Sequence, residues 1–281
     1  LMVLLVYLLV KEYQNNFQNI YKIFLAGIIC GLAILCRANA VMFSGLVVVW
    51  FILINLKKFP RQLILAACFS IGCALIVLPW TIRNYVQYNE VIVVTDAGGY
   101  GFWLANTELK VEDLEAGNHQ EYLEADRHVW EKTAEIEEII AGKSLKERED
   151  YYFNLGKDYV KQNPLTWLWL IGGKTLEFWS PFARFDMQGW KAALTFPTGL
   201  LMLLGLFSFI WVRIKGSFDR NIWLLIAFLI IGSAFSGILA WATIRYRIPT
   251  VDGYLIPFFV YLLIKRFGGN FEKKFENFNI L

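Results

Sequence analysis

The sequence predicts an all-α polytopic membrane protein carrying a mostly helical exterior domain, and three observations predict it. Of the 281 residues, 57% are hydrophobic and 17% aromatic, while only 18% are charged; ordinary soluble domains are about a quarter charged. Apolar runs of bilayer-spanning length follow one another with charged punctuation between them. The acidic residues gather in one internal stretch: from Thr81 to Ala193 there are 12 Lys/Arg against 19 Asp/Glu, whereas the remainder carries 15 against 5. Such a composition excludes an ordinary water-soluble enzyme, and an acidic exterior makes nucleic acid a poor partner.

The first apolar run, Leu1 to Val10, stops at Lys11 after half the length of a span. No initiator methionine or basic leader precedes it, so the chain is expected to be the C-terminal portion of a longer protein. Ile20 to Cys36 is interrupted only by Lys22, Ala40 to Leu56 carries no charge, and Gln62 to Trp80 would measure about 28 Å as a helix, the thickness of the hydrocarbon core. After the acidic middle come Leu194 to Val212, Ile222 to Thr243 and Tyr254 to Ile264, making seven spans with the opening stub. The expected organisation is therefore transmembrane helices over 1–80, an exterior domain over 81–193, further transmembrane helices over 194–264 and a tail over 265–281. Cys30, Cys36, Cys68 and Cys73 all fall within apolar runs as small hydrophobes, with no disulfide or metal site expected.

Orientation follows from the basic residues. Lys11 and Lys22, then Lys57, Lys58 and Arg61, then Arg213, Lys215 and Arg220, and finally Lys265, Arg266, Lys273 and Lys274 all fall on one side of seven alternating spans. Short cytoplasmic loops are enriched in Lys and Arg, so that side is the cytoplasm, the tail is cytoplasmic and the acidic segment lies outside. Within that segment, Leu109 to Gly156 reads as two or three helices, with Val129, Ile136, Ile139 and Ile140 available for a buried face. Pro164 opens a helix bearing Trp167, Trp169, Phe178 and Trp179; Lys174 and Glu177 interrupt it, which suits the headgroup layer better than a span. Asp96 with Gly98-Gly99 lacks the Lys-Ser/Thr ending of a phosphate loop and is expected to be a tight turn. His119 and His128 have no Cys partner and no metal-ligand spacing.

Four arginines break the positive-inside pattern. Arg37, Arg83, Arg245 and Arg247 all sit at exterior ends of spans, where a guanidinium must find a carboxylate, a phosphate or water. Its planar fork matches phosphate oxygens, so several converging forks would form a pocket for a lipid-linked phosphate or pyrophosphate. The plain alternative is that each snorkels to ordinary headgroups or pairs within the protein; Asp252 stands ready to neutralise Arg245 or Arg247. Lys174 is a further candidate contact, with snorkelling as its ordinary alternative.

Five stretches carry a resemblance. Gly31-Leu32-Ala33-Ile34-Leu35-Cys36-Arg37, Pro79-Trp80-Thr81-Ile82-Arg83-Asn84-Tyr85, Gly98-Gly99 through Trp103 to Asn106, Asn163-Pro164 through Lys174 to Phe178-Trp179, and Arg245-Tyr246-Arg247-Ile248-Pro249 occur in the order of similar motifs in bacterial GT-C superfamily glycosyltransferases. The family is family 39, related to dolichyl-phosphate-mannose protein mannosyltransferases, and the resemblance runs from about Gly27 to Ile264. Cys36 replaces the family's usual Thr, Ala105 its Gly before Asn106, and Gly253 its Pro.

The resemblance implies a GT-C-like helical bundle in the bacterial cytoplasmic (inner) membrane that moves a sugar from a polyprenyl-phosphate or polyprenyl-pyrophosphate donor to a glycan, lipid or protein acceptor on the non-cytoplasmic face. Arg37, Arg83, Arg245, Arg247 and Lys174 would hold the donor phosphate, with Asn84, Asn106 and Asp252 in support. No cofactor beyond that donor substrate is implied. The family's acidic catalytic loop would lie upstream of residue 1, leaving this segment without a general base and inactive alone. The alternative class is a non-enzymatic transporter or scaffold subunit of an envelope polysaccharide system. A transporter would place charges near mid-span, whereas here they cluster at one face.

Overall fold

A computed structural model describes residues 1–181, 190–215, 219–239 and 253–267, and among these every regular element is helical. The apolar frame begins with α1 (Met2–Gln14), α2 (Ile20–Cys36), α3 (Ala40–Ile54) and α4 (Phe59–Tyr88). The acidic segment folds as α5 (Gly98–Ala105), α6 (Glu108–Glu115), α7 (His119–Ile139) and α8 (Leu145–Gln162), followed by the Trp-rich α9 (Pro164–Trp179). The frame then resumes with α10 (Trp190–Ile214), α11 (Arg220–Leu239) and α12 (Gly253–Phe267). Each expected span overlaps a helix, with residues 240–243 of the Ile222 to Thr243 run outside the described residues. Among the described residues, two stretches, 56–88 and 196–214, are long and apolar enough to cross a bilayer, and three shorter apolar helices, Ile20–Cys36, Ala40–Ile54 and Arg220–Phe235, accompany them.

The closest helix pair is α2 with α4, and glycine makes it possible. A Cβ on Gly27 would lie 2.1 Å from the Phe69 carbonyl oxygen, one on Gly31 2.8 Å from that of Cys73, and one on Gly72 2.3 Å from that of Phe24. Gly27 and Gly31 are four apart on one face of α2, the small-residue spacing that lets apolar helices touch backbone to backbone. The paired numbers rise together, so the two helices run parallel. α3 returns between them and packs on α4. Pro79 interrupts α4 without ending it, and the helix continues past the expected boundary at Thr81 as far as Tyr88.

At the end of the frame where α1 and α3 finish and α4 and α11 start, polar side chains tie distant segments together. Tyr13 Oη donates to Asp219 Oδ1 at 2.8 Å and accepts from Asn221 Nδ2 at 2.9 Å, while Trp50 Nε1 donates to the Asn221 carbonyl at 2.8 Å. Tyr13, Phe17, Trp50, Phe51 and Phe69 pack ring against ring just inside this end.

The acidic segment has its own core of Trp103, Leu109, Val129, Ile136, Ile140 and Tyr152. Ser144 and Glu147 form a reciprocal capping box that starts α8, and the Asn118 side chain caps α7. Val129, Ile136 and Ile140 are buried as expected, but Ile139 is 60% exposed: at about 3.6 residues per turn it falls to one side of the face the other three share.

A Gly27→Leu variant should lower the thermal unfolding midpoint in detergent, because the side chain meets Phe69 backbone, an overpacking cost of about 1–3 kcal/mol or more. Gly45→Ala should keep or raise it, since nothing lies within 4 Å of that Cβ and alanine favours a helix over glycine by about 1 kcal/mol.

Candidate functional site

The Pro79–Tyr85 stretch closes the far end of α4 by binding the chain that leaves it. Trp80 Nε1 donates to the Val94 carbonyl at 3.3 Å, Thr81 Oγ1 to that of Val93 at 3.1 Å, and Asn84 Nδ2 to that of Ile92 at 3.0 Å. Three successive carbonyls are thereby satisfied on a returning segment that has no ladder of its own. The same residues position Arg83. Its guanidinium lies over the Trp80 ring, 5.0 Å from the centroid, and donates to Asn84 Oδ1 at 3.1 Å. Asn84 is buried, Arg83 is exposed, and no carboxylate of the described residues pairs with Arg83. Its remaining N–H groups face outward, as anion recognition requires.

Arg37 follows α2 in extended backbone, its N–H on the Ala33 carbonyl at 2.9 Å, and is half-buried. The α2–α4 register pairs Gly31 with Cys73 and Ile76. Carried onward to Arg37, it reaches the turn of α4 that holds Thr81 to Arg83, so these two arginines share one end of the frame. Arg245, Arg247 and Asp252 lie outside the described residues.

Asn106 joins the third and fourth motif stretches. Fully buried, it donates through Nδ2 to the Phe102 carbonyl at 2.8 Å, and its Oδ1 accepts from Trp167 Nε1 at 3.0 Å and Lys174 Nζ at 3.1 Å. Lys174 also donates to the Ala105 carbonyl at 3.0 Å. Its side chain is 0% exposed, so it does not snorkel. Nor does Glu177 interrupt the outer face of α9: its carboxylate accepts from Lys110, itself fully buried, at 2.9 Å, with Asp113 on the same ammonium at 2.5 Å. Among the described residues, two lysines and two carboxylates thus gather in one buried polar set. Both charges of α9 turn into the protein, which leaves Leu165, Leu168, Trp169 and Leu176 as an uninterrupted exposed apolar stripe. Lys110 and the role of this set were missed from sequence, where Lys110 looks like one of many charges on an exterior helix.

Gly98-Gly99 opens a helix rather than making a tight turn. The Gly99 amide donates to Glu149 Oε2 at 2.5 Å, and a Cβ at Gly99 would strike the Glu149 carbonyl at 2.1 Å. The chain's own carboxylate therefore occupies the amides that a phosphate loop would offer. Burial pushes the Glu149 carboxyl above its ordinary range, against the pull of the Gly99 and Tyr100 amides. His128 pairs with Glu112 at 2.9 Å and His119 stacks near Tyr122; among the described residues no three His, Cys, Asp or Glu side chains form a metal-binding group.

Burial, with Lys110 nearby, pushes the Lys174 ammonium down from its usual 10.5 to about 8. The unfolded chain then holds this proton over a window where the native protein has released it, so the contribution to stability rises as pH goes from about 8 towards 10. Thermal unfolding of the wild type should gain on Lys174→Met across that window; a constant difference between the two would contradict a buried, proton-releasing lysine.

No family model, curated protein or solved structure matches this chain.

Proposed function

We propose that the chain belongs to a multi-pass GT-C-type glycosyltransferase of the bacterial inner membrane, using a polyprenyl-phosphate-linked sugar on the non-cytoplasmic face. The observation that carries the reading is the parallel α2–α4 pairing, whose register, extended past the end of α2, would bring Arg37 to the end of the frame that holds Arg83. Two further features support it. Arg83 is held by Trp80 and Asn84 with its outward N–H groups uncommitted, and the motif stretches around Asn106 and Lys174 interlock.

The chemistry follows from charge. When the glycosidic bond to the carrier phosphate breaks, negative charge grows on the leaving phosphate, and fixed guanidinium groups stabilise it more in the transition state than in the ground state. Arg37 and Arg83 would take the phosphate from this part of the frame, with Arg245 and Arg247 completing the set. Lys174 acts at one remove, holding the α5–α6 junction through Ala105 and Asn106 rather than facing the donor. Proton removal from the acceptor hydroxyl falls to a carboxylate supplied from outside this segment. The uncharged outer stripe of α9 would rest in the interface, consistent with its exposed Trp169.

Transfer from labelled polyprenyl-phosphate sugars, assayed in membranes bearing the full-length protein, tests the reading. Arg83→Ala should reduce donor use roughly ten- to a hundredfold, the loss of one charge-assisted contact of about 1.5–3 kcal/mol. Arg83→Lys should recover only part of it, because the ammonium keeps the charge without the fork. Undiminished transfer by Arg83→Ala would give Arg83 a structural role and remove the phosphate site, whereas absence of transfer by the wild type would move the protein to the transporter or scaffold class. Orientation has its own check: in intact cells a membrane-impermeant thiol reagent should modify a cysteine placed at Asn118 and spare one at Lys58, and the reverse pattern would put the arginines on the wrong side.

A further inference from the structure

At the opposite end of the frame from Arg83, the turn joining α1 to α2 forms a cup of about 470 Å³ lined by Glu12, Asn15, Gln18, Asn19, Tyr21 and Lys22. Glu12, on the last turn of α1, is 1% exposed. Lys22 Nζ stands 3.0 Å from its Oε1 as an ion pair, yet neither carboxylate oxygen receives a hydrogen bond of proper geometry. A buried carboxylate with one off-axis partner is costly, since both oxygens have lost water and neither has a donor in its place. Its partner is not locked in: the Lys22 side chain is 41% exposed. The carboxamides of Asn15 and Gln18 are exposed and make no hydrogen bond among the described residues, while that of Asn19 caps α2.

The turn does not relax to satisfy Glu12 because it is pinned from the other side. Asn16 and Phe17 are consecutive non-glycine residues at φ 55° and 53°, in the left-handed region, where such residues persist only when their surroundings hold them. The Phe17 amide donates to the Glu12 carbonyl at 2.7 Å, and Arg61 Nη2 donates to the Asn16 carbonyl at 2.9 Å. The Phe17 ring packs against Tyr13, Trp50 and Phe51. A strained, rigid turn that presents an under-satisfied carboxylate beside free carboxamides is a preorganised polar site.

We propose that this cup binds the headgroup of an ethanolamine phospholipid, its primary ammonium donating to Glu12 and its phosphate accepting from Lys22, Asn15 and Gln18. Lys22 moves from Glu12 to the phosphate as the headgroup ammonium takes its place, so charge within the cup stays balanced. The dipolar lining selects the dipolar headgroup: a choline ammonium has no N–H to donate, and a glycerol headgroup brings no cation to Glu12. The position, at the ends of apolar helices beside Lys57, Lys58 and Arg61, is that of a lipid headgroup layer. The inference rests on the membrane reading above and is independent of sugar transfer.

The full chain, reconstituted in vesicles of phosphatidylcholine alone or with one third phosphatidylethanolamine or phosphatidylglycerol, tests it by flotation, by thermal unfolding and by native mass spectrometry of the retained lipids. The expected result is roughly tenfold preferential retention of the ethanolamine lipid, a higher unfolding midpoint in its presence only, and loss of both in Glu12→Gln with the midpoint in phosphatidylcholine preserved. Free phosphoethanolamine added to detergent-solubilised protein should give a smaller shift of the same sign, distinguishing the headgroup in solution from the headgroup held in a bilayer. Equal retention of all three lipids, a preference for phosphatidylglycerol, or an unchanged preference in Glu12→Gln would overturn the site while leaving the Arg83 chemistry intact. Failure to float with any vesicle would overturn the membrane reading and the site together.

Discussion

Backbone contact between α2 and α4 is the constraint on which the arrangement depends. In an apolar surrounding, helix association gains little from excluding water, because neighbouring lipid is as apolar as the partner helix; close packing must supply the attraction. Gly27, Gly31 and Gly72 permit an approach that any Cβ would block. Because the pairs occur at successive turns, they determine not only that the helices touch but their relative direction and register. Arg37 and Arg83 then share an end as a mechanical consequence, and the turn between α1 and α2 is set at the other.

The second organising element is the buried polar set that joins the acidic segment to α9. Lys110, Asp113, Lys174 and Glu177 come from α6 and α9, and Asn106 sits between them at the end of α5. Buried charges are tolerated only when paired and hydrogen-bonded, so α9 can dock in few positions other than the one that meets those demands. Charge satisfaction in the interior is what gives α9 its apolar exterior: the two residues that look like breaks in its hydrophobic stripe are the ones that attach it. Polar satisfaction at the end of α4 works similarly, with Trp80, Thr81 and Asn84 binding the returning chain and Asn84 also orienting Arg83.

Reading residues in one dimension recovered the helices of the frame and of the acidic segment because their signals are local. Apolar runs near Ile20–Cys36 and Gln62–Trp80, and the proline at the start of α9, are visible within a few turns. Ile139 was placed on the buried face because an apolar residue at the edge of a helical stripe reads like its neighbours, whereas only Val129, Ile136 and Ile140 lie close enough to the stripe's centre to be covered. Gly98-Gly99 was taken for a turn because glycine disfavours helices; here its missing side chain matters for a different reason, since α8 passes against it and Glu149 reaches its amide. Lys174 was misjudged because its charge is plain in the sequence, whereas the carbonyl and amide that receive it come from residues about seventy positions earlier.

The sequence alone determined the helical, apolar character of the chain, its acidic middle, and the identities of Arg37 and Arg83 as charges at the ends of apolar runs, since composition and short-range periodicity decide these. Tertiary structure decided which ends meet, which lysines are buried, and that the Glu12 carboxylate sits without a well-formed hydrogen bond beside a strained turn. Those outcomes depend on contacts across long separations in sequence, where a single missing Cβ sets the distance between two helices and one carbonyl determines where an ammonium can be buried.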